Sequence, residues 1–211
     1  MVLEPELRAD ARRNLRQIIA TAREIFVESG LDVPMEAIAR RAGVGVGTLY
    51  RRFPDRGGLI AAVAASTFRA VLVDLRAAVD ATASAWDAFI RLATTSENLV
   101  LTVHLAFPSP QVWTPVHAAE ESRDVYREMM TALDRLVRDA QREGSLRADV
   151  GSGDVLGLVS FVLERLPPVS DPAGRLRAQR SLWLVLDGLG ARPGSRLPGS
   201  PVSLAELGGE G

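Results

Sequence analysis

The chain has 211 residues, 47% of them hydrophobic, and a net charge of −1, which suffices for one large or two small cores and excludes disorder throughout or a uniformly basic coat. It contains no cysteine, which excludes disulfides, thiolate nucleophiles and thiolate metal sites together and fits a reducing compartment. The charge is uneven, with ten arginines against six acids over residues 8–56 and fifteen against eighteen from residue 59 onward.

Residues 1–11 are polar and read as a frayed lead-in. From Arg12, the apolar residues Leu15, Ile18, Ile19, Ala22, Ile25 and Phe26 recur at three- and four-residue spacing, which predicts a helix closed by Gly30. Arg12, Arg13 and Arg16 near its start have two readings, a solvated charged face or contacts to a phosphate backbone. A short helix over Met35–Arg41 follows, with Ile38 and Ala39 as its apolar pair and Ala42-Gly43 as its end. Pro34 fits as its first residue.

The run Val44-Gly45-Val46-Gly47-Thr48-Leu49-Tyr50-Arg51-Arg52-Phe53 reads as a tight turn feeding a second short helix. Leu49 and Phe53, four residues apart, make a packing face, and Gly47, Thr48, Arg51 and Arg52 lie elsewhere. Two short helices joined by a glycine-containing turn form a helix-turn-helix. Its second helix enters the major groove of DNA, where arginine forks onto guanine and threonine bonds a base or phosphate. The glycines let the backbone approach closely.

Pro54-Asp55 opens the next helix, whose stripe is Leu59, Ile60, Val63, Phe68, Val71, Leu72 and Leu75. Residues 85–105 read as one long apolar helix, with Trp86, Phe89, Ala93, Glu97, Val100 and His104 on one face. Thr94, Thr95, Ser96, Asn98 and Thr102 within it either pair with neighbours or face a ligand cavity. Phe107-Pro108-Ser109-Pro110 and Trp113-Thr114-Pro115 read as two breaks with at most a short turn between them.

A long amphipathic helix is predicted over roughly 116–143, and a final pair over 154–166 and 175–189. The stripes of that pair are wide enough to dock on a copy of themselves, giving a homodimer through the last two helices. Eleven of the last 21 residues are Gly, Pro or Ser, so residues 191–211 are expected to form a disordered tail.

No catalytic set is visible, and neither an enzyme activity nor a cofactor is predicted. Gly43-Val44-Gly45-Val46-Gly47 follows a helix, where a dinucleotide loop needs a strand. His104 and His117 are thirteen residues apart, off the spacing of a helical metal pair. They bracket the proline-broken segment, and Trp86, Phe89, Ala93, Glu97, Phe107, Trp113, Tyr126 and Phe161 complete a candidate ligand-binding set, each with core packing as the competing reading. No signal peptide or membrane-spanning run is visible, so a cytoplasmic location is the default.

The residues Ile38-Ala39-Arg40-Arg41-Ala42-Gly43-Val44 and Gly47-Thr48-Leu49-Tyr50-Arg51-Arg52-Phe53, with Arg56 and Leu59, resemble the DNA-binding signature of TetR-family transcriptional regulators. The resemblance covers about a quarter of the chain. It implies an all-α protein with a three-helix DNA-binding domain at 1–56 and a helical ligand-binding and dimerisation domain at 57–190. It implies phosphate contacts by Tyr50 and Arg56, and base contacts by the start of the second motif helix and Arg51. Two positions depart from the family pattern: Val33-Pro34 stands where a capping threonine is usual, and Arg56 where lysine is. The expectation is a homodimeric repressor of a palindromic operator on double-stranded DNA, released by a small apolar ligand and independent of membranes. The alternative is a helical small-molecule-binding or dimerisation adaptor that binds no specific DNA.

Overall fold

A computed structural model describes residues 3–106, 110–166 and 171–191. Phe107, the remainder of 107–109, the Pro167-Pro168 break and the expected tail from 192 lie outside the described residues. Ten helices carry the rest: α1 (Leu3–Ser29), α2 (Met35–Arg41), α3 (Val46–Arg52), α4 (Arg56–Asp80), α5 (Ala85–Thr95), α6 (Glu97–Ala106), α7 (Pro110–Ala118), α8 (Glu120–Arg142), α9 (Ser152–Leu163) and α10 (Pro172–Leu189). No strand occurs among the described residues, only an isolated antiparallel bridge between Leu146 and Gly190. The protein is all-α.

Helix ends follow local chemistry. Gly30 and Gly43 take φ of +78° and +66°, values that only glycine adopts without strain, and so end α1 and α2. The Gly58 amide donates to Asp55 at 2.7 Å, the Asp87 amide to Ser84 at 3.0 Å and the Gly174 amide to Asp171 at 2.8 Å, three side-chain N-caps.

Several boundaries differ from the sequence reading. α1 starts at Leu3, nine residues before Arg12, because 3–11 is rich in helix formers and its proline, Pro5, falls in the first turn. Pro34 is the N-cap of α2, not its first residue, and makes no side-chain cap bond. The expected single helix over 85–105 is two, parted at Ser96, whose backbone turns extended at ψ 106°. The Ser96 hydroxyl donates to Asp74 of α4 at 2.5 Å and accepts from the Leu99 amide at 3.0 Å. Ser96 thus caps α6 through the Leu99 amide while its side chain is tied to α4. Trp113-Thr114-Pro115 does not break the chain, since α7 runs through Pro115. The long helix after it begins at Glu120, not at 116.

The described residues form two compact units, one within Met1–Ser66 and Pro108–Arg123, the other within Thr67–Phe107 and Asp124–Gly211. In the first, Ile18, Ala22, Ile38, Ala39, Leu49 and Leu59 are fully buried or nearly so. A Cβ on Gly57 would stand 3.2 Å from both Cβ and Cγ of Pro115, so α7 seats directly on the first turn of α4. In the second, Phe68, Phe89, Leu92, Met129, Leu163 and Leu186 make the core. Arg147, 9% exposed, pairs with Asp149 at 2.6 and 2.9 Å and donates to the Gly188 carbonyl at 3.3 Å, fastening the end of α10. The Asp149 bond also raises the Arg147 pKa.

α4 corrects one further expectation. By length and composition it is apolar enough to cross a membrane, but 61% of that window is buried inside the protein. Its hydrophobicity is that of a core helix.

Candidate functional site

α3 has seven residues and no acid, and it rests on one buried side chain, Leu49, with Phe53 buried just beyond its end. The rest of it is at least partly exposed. Val46 and Tyr50 are each 40% exposed, Gly45, Gly47, Arg51 and Arg52 are exposed, and Val44 and Thr48 are half-buried. A Cβ on Gly47 would meet nothing within 4 Å, so the fold leaves that spot bare for an outside partner. Arg51 donates to Thr48 Oγ1 at 3.2 Å, one turn back along the same face. Arg16 is exposed on α1.

Two DNA-site expectations gain partners that the sequence did not announce. The Tyr50 hydroxyl donates to Glu36 at 3.0 Å, a bond that, with partial burial, raises the phenol pKa and keeps it a neutral donor. Arg56 is half-buried and donates to the Leu31 carbonyl at 2.6 Å, bracing the turn before α2. Beside them Arg41 forks onto Glu28 at 2.5 and 2.7 Å and approaches Glu24 at 3.9 Å. This pairing lowers the Glu28 pKa and raises that of Arg41. Glu36, Glu28 and Arg41 were missed because their roles arise from a fold that joins positions 13 and 14 residues apart.

The candidate ligand residues do not converge on one site. Trp86 and Phe89 are buried and stacked, with centroids 5.3 Å apart and planes 6° apart. Tyr126 packs on Phe68 at 5.5 Å, and its burial raises the phenol pKa. His104 Nδ1 bonds the Val100 carbonyl at 2.8 Å within its own helix. Trp113 and His117 contact each other at 3.7 Å in the first unit. Phe161 is 59% exposed, with the Arg165 guanidinium 4.1 Å over its ring. Phe107 lies outside the described residues.

Ala93 and Glu97 of the set line a cavity together. It is an open groove of about 260 Å³ at the α5–α6 break, walled by α9 and α10. Leu163, Leu166, Leu182, Arg175 and Gln179 line it too, and were missed because three sequence-distant segments meet there. The polar residues of the apolar stretch are largely satisfied. Thr94 and Thr95 donate back to Ile90 and Arg91 at 2.7 and 2.8 Å, and Asn98 joins Ser96 on Asp74 at 2.8 Å. Thr102 is buried with no hydrogen-bond partner among the described residues. No group of three acids or histidines among those residues could hold a metal ion.

Comparison with known proteins covers both units. The family described as bacterial regulatory proteins, tetR family, matches residues 18–63. The family described as transcriptional regulator SbtR-like, C-terminal domain, matches residues 85–191. An HTH-type transcriptional regulator of Staphylococcus aureus is 41% identical over 54 residues. That match takes in 25% of this chain and 29% of the relative's length. The solved structure of a TetR transcriptional regulator from Streptomyces coelicolor is similar with a TM-score of 0.60 and 28% identity, over 85% of this chain and 99% of that one. A TetR regulatory protein from Mycobacterium vanbaalenii is similar with a TM-score of 0.52 and 28% identity, over 87% and 99%.

Proposed function

The chain belongs to the TetR family of bacterial DNA-binding transcriptional regulators, and on that premise we propose that it acts as a homodimeric repressor of a palindromic operator, released by a small molecule held in its C-terminal helices. The observation that carries the DNA half is α3 itself. It presents Thr48, Tyr50, Arg51 and Arg52 outward from a single buried anchor, with no carboxylate of its own. A short helix of that composition matches the major groove, whose guanine edge takes a forked arginine. Tyr50 and the exposed arginines supply phosphate contacts, which position the helix without reading sequence.

Dimerisation is supported by the outer faces of the last helices. Leu158 and Phe161 of α9 and Leu176, Trp183 and Leu184 of α10 are between 42% and 71% exposed, five large apolar side chains on the last two helices of the kind a partner covers. A second copy covers it in an isologous contact and sets two α3 helices to read half-sites about one helical turn apart, or a multiple of that. A cytoplasmic location follows from the DNA partner.

The test is fluorescence anisotropy on DNA flanking the protein's own gene, over a salt series. Sequence-selective affinity that falls steeply with salt is the expected result, because phosphate contacts release counterions. No selective binding to any genomic fragment would overturn the repressor reading in favour of a helical adaptor. Sedimentation of Leu184→Asp checks the dimer, with a shift to monomer expected.

A further inference from the structure

The groove at the α5–α6 break combines two opposite, unspent charges with an aliphatic wall. Glu97 is the first residue of α6, and Arg175 with Gln179 stands one turn apart on α10. Their neighbours Arg165 and Arg177 pair with Glu164 and Asp171. The side chains of Glu97 and Arg175, by contrast, take part in no ion pair or hydrogen bond among the described residues. Leu163, Leu166 and Leu182 supply the apolar surface.

We propose that this groove binds a small zwitterion of the α-amino-acid type with an aliphatic side chain: its ammonium on Glu97, its carboxylate on Arg175 and Gln179, its side chain on the three leucines. This rests on the ligand-release reading and sharpens it, replacing a purely apolar effector with a charged one. A carboxylate suits Arg175 because guanidinium presents paired N–H donors in the geometry of two oxygens. An ammonium suits Glu97, which accepts only. At about 260 Å³ the groove falls just below the range of roughly 300–1,000 Å³ that drug-sized ligands occupy. A free amino acid fits that scale, and a large polycyclic inducer does not.

The groove is also wired into the long helix. Its wall includes Ser96, the residue whose hydroxyl is held by Asp74 of α4. Occupancy that moves the α5–α6 break therefore pulls on α4, which continues unbroken to Arg56.

The experiment is isothermal titration calorimetry of the full chain with L-leucine, N-acetyl-L-leucine and L-leucinamide, alongside operator binding measured separately on the same preparations. Saturable binding of L-leucine is expected, with both blocked forms weaker by about tenfold or more, the scale of losing a charge-assisted hydrogen bond. Glu97→Gln should bind L-leucine and N-acetyl-L-leucine alike, and Arg175→Gln should erase the difference between L-leucine and L-leucinamide. Both positions are exposed, so the variants keep their fold, and swapped selectivity is a readout that a merely structural role would not move. Equal binding of all three compounds, unchanged selectivity in the variants, or no binding at millimolar concentration each overturns the proposal. Operator binding without leucine binding would sink the zwitterion site and leave the DNA reading intact. Leucine binding without operator binding would do the reverse.

Discussion

The arginines of α3 and four of the five on α8 are the same side chain in similarly exposed places, yet they face different fates. On α8, Arg127 pairs with Asp124, Arg138 with Asp134, and both Arg135 and Arg142 with Asp139, all one turn away, although each arginine is at least 66% exposed. On α3, Arg51 meets only the Thr48 hydroxyl, and Arg52 meets nothing among the described residues. The chain contains no lysine, so the difference lies in the acids. A helix that spaces aspartates three or four residues from its arginines neutralises them locally. A helix with no acid leaves its charge for a partner.

The severest way to break this contrast is to remove the platform. Leu49→Ala deletes the one buried side chain of α3 and should cost about 2–5 kcal/mol of stability, read as a lower Tm of the reading unit with operator binding lost in parallel. Next in size, Tyr50→Ala with Arg51→Ala should weaken operator binding roughly 30-fold or more, since a good base contact is worth about 1–3 kcal/mol. The paired control, Arg138→Ala with Arg142→Ala on α8, should leave operator affinity unchanged. Equal losses from both pairs would dissolve the distinction between them.

A smaller effect runs the other way. In the free protein Glu36 occupies the Tyr50 hydroxyl that a phosphate would take, and its charge opposes phosphate. Glu36→Gln should therefore strengthen binding roughly 2- to 5-fold, as exposed charge interactions are worth about 0.2–1 kcal/mol. An unchanged or weaker affinity would mean that Glu36 serves to orient Tyr50 instead. Smallest is the Arg41–Glu28 pair. Because Arg41 lowers the Glu28 pKa, the pair's stabilising effect is complete above the unfolded carboxylate value of about 4.3 and is lost as pH falls through the lower folded value. Melting temperature against pH should show a shallow decline on that acid side, and Glu28→Gln should flatten it.

These contrasts also mark what the sequence made legible. The head was readable because its signals are local: three- and four-residue periodicity from Leu15 to Phe26, Gly43 at a left-handed turn, and Asp55 before α4. The break at Ser96 was not, because no proline or glycine stands there and its cause is Asp74, 22 residues away. Pro115 misled in the opposite sense, since α7 tolerates it at the cost of one backbone bond. The ligand set lies scattered for a related reason. An aromatic on an apolar stripe looks the same whether it stacks in a core, as Trp86 does on Phe89, or lines a cavity. Of that set Ala93 and Glu97 line the groove, and Arg175 joins them from a distant segment that only the fold brings there.

The contact between Gly57 and Pro115 has a mechanical consequence. One side presents a closed ring and the other no side chain at all, so no rotatable bond lies between the α7 surface and the α4 backbone. A displacement of α7 cannot be absorbed by a change of rotamer, and passes undiminished into the first turn of α4. There Asp55 caps the helix and Arg56 grips the Leu31 carbonyl. The joint has the compliance of backbone alone, and a methyl added at position 57 would act as a shim, preloading the turn that leads out of the reading helix.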